Sequence, residues 1–169
     1  VIPPMYDNAG NFVNGLAPVC LNNAYGAINS KGKVIIPFQY DYISDFNEEG
    51  LALIRLKREH IPITFLLHSD IYGYYEIHYQ TGIINTAGEQ IGSLYDKIRC
   101  FSEGYAGVKL NDKWGYINIH GKEIIPIIYD EVGEFENGIA QVWLNRTFLY
   151  INNKGEVIEP EDKDLWPDF

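Results

Sequence analysis

Cysteine is almost absent: Cys20 and Cys100 are the only two in 169 residues. Two thiols make neither a disulfide framework nor a metal cluster, and both read as small buried or half-buried hydrophobes. Bases are scarce, 13 Lys and Arg against 23 Asp and Glu, for a net charge of −10. Such a field repels phosphates, so nucleic-acid binding is not expected, while a cationic protein partner would be attracted. No apolar run approaches the roughly 20 residues that span a bilayer. The chain has no Gly-x-Ser-x-Gly elbow, no phosphate loop and no Cys-His signature. Its four histidines, His60, His68, His78 and His120, lack close ligand spacing, so no metal or other cofactor is expected. The chain opens on Val1 and its one methionine is Met5, as expected of a processed or shortened chain. A removed signal peptide is compatible with that start, and the compartment stays open.

What is present points one way. Hydrophobic residues make up 46% of the chain, which excludes general disorder, and the length suffices for one domain with a real core. Thirteen Tyr, eight Phe and three Trp favour strands, and sixteen Gly with eight Pro suggest short elements joined by tight turns. An all-β protein is expected.

The sequence repeats itself. Ile-Pro-x-x-Tyr-Asp, then Phe, then Gly-x-Ala, occurs four times. The copies run Ile2, Pro3, Tyr6, Asp7, Phe12, Gly15, Ala17, then Ile36, Pro37, Tyr40, Asp41, Phe46, Gly50, Ala52. The third is Ile91, Gly92, Tyr95, Asp96, Phe101, Gly104, Ala106, and the fourth Ile125, Pro126, Tyr129, Asp130, Phe135, Gly138, Ala140. Each is followed by an aromatic, often Gly, then Ile-Asn-x-x-Gly. These are Tyr25-Gly26 with Asn29 and Gly32, Thr81-Gly82 with Asn85 and Gly88, Trp114-Gly115 with Asn118 and Gly121, and Phe148-Leu149 with Asn152 and Gly155. Tyr6 to Tyr40 and Tyr95 to Tyr129 each span 34 residues, whereas Tyr40 to Tyr95 spans 55. About one extra hairpin is therefore inserted in the second copy.

Most repeat positions have a physical reason. Asn-x-x-Gly suits a hairpin on a type I turn, with Gly at the φ > 0 bulge position. Trp114–Asn118 and Glu123–Pro126 should then pair around a turn at Ile119–Gly121, with Pro at a strand terminus or edge. Each unit reads as a small β-meander that must pack on its neighbours. Two architectures fit, an open array of stacked hairpins and a propeller-like ring. Val1-Ile2-Pro3 duplicates Val157-Ile158-Glu159-Pro160 without completing it, which favours the open array.

Lys113-Trp114-Gly115-Tyr116-Ile117-Asn118, Gly121-Lys122-Glu123-Ile124-Ile125-Pro126 and Tyr129-Asp130 closely resemble the bacterial WG-repeat (KWG-repeat) family, as does Phe135–Ala140. Tyr25-Gly26, Thr81-Gly82 and Phe148-Leu149 depart from the Trp-Gly pair. The resemblance implies a non-enzymatic β-rich scaffold used for binding, with no catalytic residues to carry over. Tyr25, Gly26, Tyr40, Asp41, Trp114, Gly115, Tyr129 and Asp130 are its structural repeat positions. The domain then covers 1–160, with a hairpin inserted at about 56–78 and an acidic tail or cap at 161–169.

The insertion is the most informative departure. It opens on the basic stretch Leu56-Lys57-Arg58-Glu59-His60 and continues as two strand-like runs, Ile63–Leu67 and Ile71–Tyr79. Arg58, His60, His68, Tyr72, Tyr74, Tyr75 and Tyr79 are the expected partner-contact residues, because Tyr and Arg are frequent at interface hot spots. A hairpin that merely extends the sheet is the competing reading. Acidic pairs such as Glu48-Glu49, Glu134-Glu136 and Asp162-Asp164 fall in turns or the tail, where solvation suffices to explain them, and no catalytic residue is assigned. Glu159–Phe169 carries five acids and one Lys, and reads as a solvated end or as a cap through Leu165-Trp166-Pro167. The function expected is protein binding, in one form an immunity- or antitoxin-type inhibitor of a cationic bacterial toxin. The alternative is a carbohydrate-binding or envelope-associated module stacking sugars on Trp143 or Trp166, with Trp114 structural. Dimerisation through an end is compatible with either.

Overall fold

A computed structural model describes residues 5–57 and 79–158. Among the described residues there is no helix, and sixteen strands form four antiparallel sheets of four. The first sheet comprises β1 (Asn8–Ala9), β2 (Leu16–Leu21), β3 (Ala24–Asn29) and β4 (Val34–Tyr40). The second comprises β5 (Tyr42–Ile43), β6 (Leu51–Lys57), β7 (Tyr79–Asn85) and β8 (Gln90–Tyr95). The third has β9 (Lys97–Ile98), β10 (Tyr105–Leu110), β11 (Lys113–Asn118) and β12 (Glu123–Tyr129). The fourth has β13 (Glu131–Glu136), β14 (Ile139–Leu144), β15 (Thr147–Asn152) and β16 (Val157–Ile158). Each sheet is a meander in chain order, so each repeat is the four-stranded unit that its spacing implies. The Tyr-Asp pair marks the step between sheets: Tyr40 ends β4 and Tyr42 opens β5, as Tyr129 ends β12 and Glu131 opens β13.

Turn chemistry sets the lengths. At all four Asn-x-x-Gly turns the Gly N–H donates to the Asn carbonyl, at 2.8–3.0 Å. Gly32, Gly88, Gly121 and Gly155 sit at φ of 71–81°, the bulge position that glycine adopts without strain. The Asn118 side chain adds two bonds, accepting from His120 N–H at 3.0 Å and Lys122 N–H at 3.1 Å. The turn before Gly-x-Ala is tighter. Asn14-Gly15, Glu103-Gly104 and Asn137-Gly138 all have positive φ at both positions, the mirror-type turn whose twist matches the strands. The second copy has one more residue there and closes instead by Gly50 N–H donating to the Asn47 carbonyl at 3.0 Å.

Proline is placed differently from the expectation. Pro37 and Pro126 lie inside β4 and β12, not at their ends, and both strands are sheet edges, where a missing donor costs nothing. Trp114 pairs with Tyr129 and Tyr116 with Ile125, so two residues of β11 face four of β12. That bulge swallows Pro126.

The chain divides into two compact units, Val1–Asp96 with the first two sheets and Lys97–Phe169 with the last two. In the first, Leu16, Ala27, Ile36 and Tyr40 pack on Ile43, Phe46, Ala52, Ile54 and Ile84. In the second, Trp114, Tyr116, Ile125 and Tyr129 pack on Val132, Phe135, Ala140, Val142 and Ile151. Within each unit, then, one sheet's aromatic-Gly face covers the next sheet's Phe and Gly-x-Ala face. Cys20 is buried and Cys100 exposed, and both are free thiols. The expectation that Cys100 is at least half-buried fails because it lies in the segment that leads from β9 into the next turn, outside any strand.

Candidate contact surface

The repeat aspartate ties down one hairpin end in each of three copies. Asp7 accepts from Asn22 N–H at 2.7 Å, and Asp41 accepts from Lys57 N–H at 2.6 Å. Asp130 takes the Lys113 ammonium at 2.5 Å. That bond, helped by the N–H groups of Asn145 and Arg146, holds the Asp130 carboxyl below its usual range against a smaller desolvation effect. In the first and fourth copies the anchored turns are Asn22-Asn23 and Asn145-Arg146, again with both φ positive. In the second copy the same hairpin end carries the insertion. β6 and β7 stay in register through Lys57 and Tyr79, so the interruption falls at 58–78, with Leu56 and Lys57 belonging to β6. Asp41 therefore anchors the root of the insertion.

At this root lies an exposed aromatic-cation cluster. The Arg55 guanidinium carbon is 5.5 Å from the ring centroids of both Tyr42 and Tyr79. Tyr42 and Tyr79 are each 40% exposed, and Tyr25 sits 5.5 Å from Tyr42. Arg55 is held by strand pairing opposite Tyr42. A guanidinium between two tyrosines is prepositioned for a planar acidic or aromatic group. Of the expected partner-contact residues only Tyr79 belongs to this cluster, since Arg58, His60, His68, Tyr72, Tyr74 and Tyr75 lie outside the described residues. Arg55 and Tyr42 escaped the sequence reading. The available signal was register: the position that holds Arg55 is Cys20, Lys109 and Trp143 in the other copies.

The structural repeat positions divide by role. Tyr40 and Tyr129 are buried opposite Tyr25 and Trp114. Trp114 is 5% exposed and carries Arg99 over its ring at 4.7 Å, with Arg99 also paired to Glu131. Trp143, by contrast, is 38% exposed and packs edge-to-face on Phe148 at 4.9 Å. Glu48, Glu49, Glu134 and Glu136 are exposed, and His120 lies in a hairpin turn. Among the described residues no group of His, Cys, Asp and Glu is arranged to hold a metal ion. Nor is any helix there long and apolar enough to cross a membrane.

The sequence model of a family described as WG containing repeat matches residues 1–23, 25–57, 82–114 and 114–145. The chain belongs to the WG-repeat family. The matched blocks leave the insertion outside them, as the register of β6 and β7 does. No curated protein and no solved structure matches the chain.

One WG-repeat contact gives a pH prediction. The Tyr116 hydroxyl donates to the Gly133 carbonyl at 2.8 Å, joining the third sheet to the fourth. Burial pushes its phenol far above the ordinary value, with Arg99 opposing and Tyr129 adding to the shift. An unfolded phenol ionises from about pH 10 while the folded one stays neutral, so this stabilisation is complete below pH 10 and is lost as pH rises. Tyr116→Phe is expected to lower stability by about 0.5–1.5 kcal/mol at neutral pH. It should also flatten the alkaline fall, as read from urea midpoints at neutral and high pH. An unchanged alkaline slope in the variant contradicts the assignment.

Proposed function

We propose that this WG-repeat chain is a non-enzymatic protein-binding module whose contact surface begins at the root of the insertion. The carrying observation is the exposed Tyr42–Arg55–Tyr79 cluster, which combines the side chains that dominate interface energetics. The net charge of −10 favours encounter with a basic protein, while Arg55 sets register by receiving one acidic or aromatic group of that partner. An immunity- or antitoxin-type inhibitor of a cationic bacterial toxin is the specific form of this reading. The test is capture from lysate of the source cells at low and high salt, with the retained protein identified and purified. A single basic protein, bound at low salt and released at high salt, is expected. Arg55→Ala or Tyr42→Ala should weaken it about tenfold or more, the effect of losing one hot-spot residue. Salt-independent capture, or affinity unchanged in both variants, sinks the proposal.

A further inference from the structure

The contact that joins one repeat to the next is left half-made at both ends of the repeat series. In Lys97–Phe169, Phe135 of the fourth sheet lies 4.9 Å from the Tyr105 ring and 4.8 Å from the Tyr116 ring of the third. The turn Asn137-Gly138 donates two backbone N–H groups to Glu103, at 2.7 and 2.8 Å. In Val1–Asp96 the same geometry recurs: Phe46 shares a core with Leu16 and Ala27, and the Asn14 side chain donates to the Glu48 carbonyl at 3.0 Å. The receiving face is therefore built from positions 16, 25 and 27 in the first copy and 105, 114 and 116 in the third.

One repeat further on, those positions are Ile139, Phe148 and Tyr150, with Trp143 beside them on the same face of the fourth sheet. Phe148 is 40% exposed, and Asn137 stands exposed where Asn14 stands in the first copy. The inserting side chain is also present and unburied. Phe12 is 49% exposed, although its counterparts Phe46 and Phe135 are 3% and 2% exposed. Leu16 already serves in the place of Tyr105, so Ile139 suits the same socket.

We propose that the face of Ile139, Phe148 and Tyr150 receives the first sheet of a second copy of this chain, with Phe12 as the inserted ring. The occupant follows from continuity with the repeat-to-repeat contact: knob and socket are both carried by one chain and both lie open. Such a contact is heterologous and head-to-tail, so it grows into rings or filaments. It shares no residue with the insertion root and stands independently of the function proposed there.

Two exposed-site variants of the full chain test it, Phe12→Lys and Phe148→Lys, with circular dichroism confirming that each folds. Sedimentation velocity should show the unmodified chain gaining mass with concentration, while each variant alone stays at monomer mass. Mixing the two should restore one contact and give a dimer of twice the monomer mass that grows no further. A chain that is monomeric throughout overturns the proposal, as does a variant that self-associates alone or a mixture that stays monomeric. An oligomer gained only on removing residues 159–169 assigns the face to that segment instead. A monomer whose Trp143 fluorescence responds to a soluble oligosaccharide assigns it to a sugar.

Discussion

Trp114→Ala is expected to lower stability by about 3–5 kcal/mol, the range for deleting a large buried aromatic side chain. The ring is 5% exposed and faces Tyr129 across the strand pair. It shares a core with Val132, Phe135, Val142 and Ile151 of the next sheet. Those neighbours sit on strands fixed by backbone pairing, so they cannot collapse into the space that the indole vacates. Loss of the Arg99 contact adds about 0.5–1 kcal/mol at a half-exposed site and leaves that guanidinium with Glu131 alone. Trp143→Ala is the matched control, because the same residue type is 38% exposed there. Its cost should stay under about 1 kcal/mol, as for most surface substitutions. The measurement is the shift in urea midpoint at unchanged denaturant slope. Equal costs at the two positions would remove the distinction between an inter-sheet anchor and a surface ring.

The repeat made most of this fold legible before any coordinates. Asn118 and Gly121 announce a turn by local chemistry alone, because a side-chain acceptor and a positive φ are needed within one hairpin. What stayed illegible is whatever depends on the partner strand. Pro126 reads as a strand stop, yet β12 continues through it because a bulge lets the edge strand run on without that donor. The repeat aspartate likewise reads only as the start of an extended stretch. Its role appears when Asp7 and Asp41 are seen to accept backbone N–H groups 15 and 16 residues away.

The candidate surface was legible in part. The 55-residue interval locates an insertion, but not the residues that support it. Arg55 looks like one charge in an alternating strand, and Tyr42 like one tyrosine among thirteen. Only strand register places them opposite each other, with Tyr79 coming back from the far side of the insertion. Phe12 and Phe148 were hidden for a different reason. A repeat position carries the same residue type whether or not a neighbour covers it, so composition cannot separate a buried ring from an open one.

Gly115→Ala should be the most costly single-atom change in the chain, at about 2–3 kcal/mol, as for overpacking of a close-packed site. A methyl there would lie 2.6 Å from the Ile125 carbonyl oxygen, 2.7 Å from that of Pro126 and 2.8 Å from the Ile127 Cα. All three are backbone atoms of the bulge, so no side chain can rotate away and β12 itself must move. The φ of Gly115 is not positive, and alanine's smaller unfolded-state entropy would otherwise favour the substitution by about 0.4–1 kcal/mol. The collision must outweigh that gain. Gly26→Ala should behave alike, since its methyl would meet the Ile36 carbonyl oxygen at 2.6 Å. Gly82→Ala should cost less, because the atom at 2.7 Å is the Leu94 Cδ2, the end of a side chain that can turn. Gly133→Ala, whose nearest atom would be at 3.4 Å, should be close to neutral. Thermal midpoints of the four variants should fall in that order. If Gly115→Ala matches Gly133→Ala, the glycine of the Trp-Gly pair is not there to admit the bulged strand. If the order holds, the pair is one device: the indole fills the space between sheets, and the missing side chain lets the edge strand pass behind it.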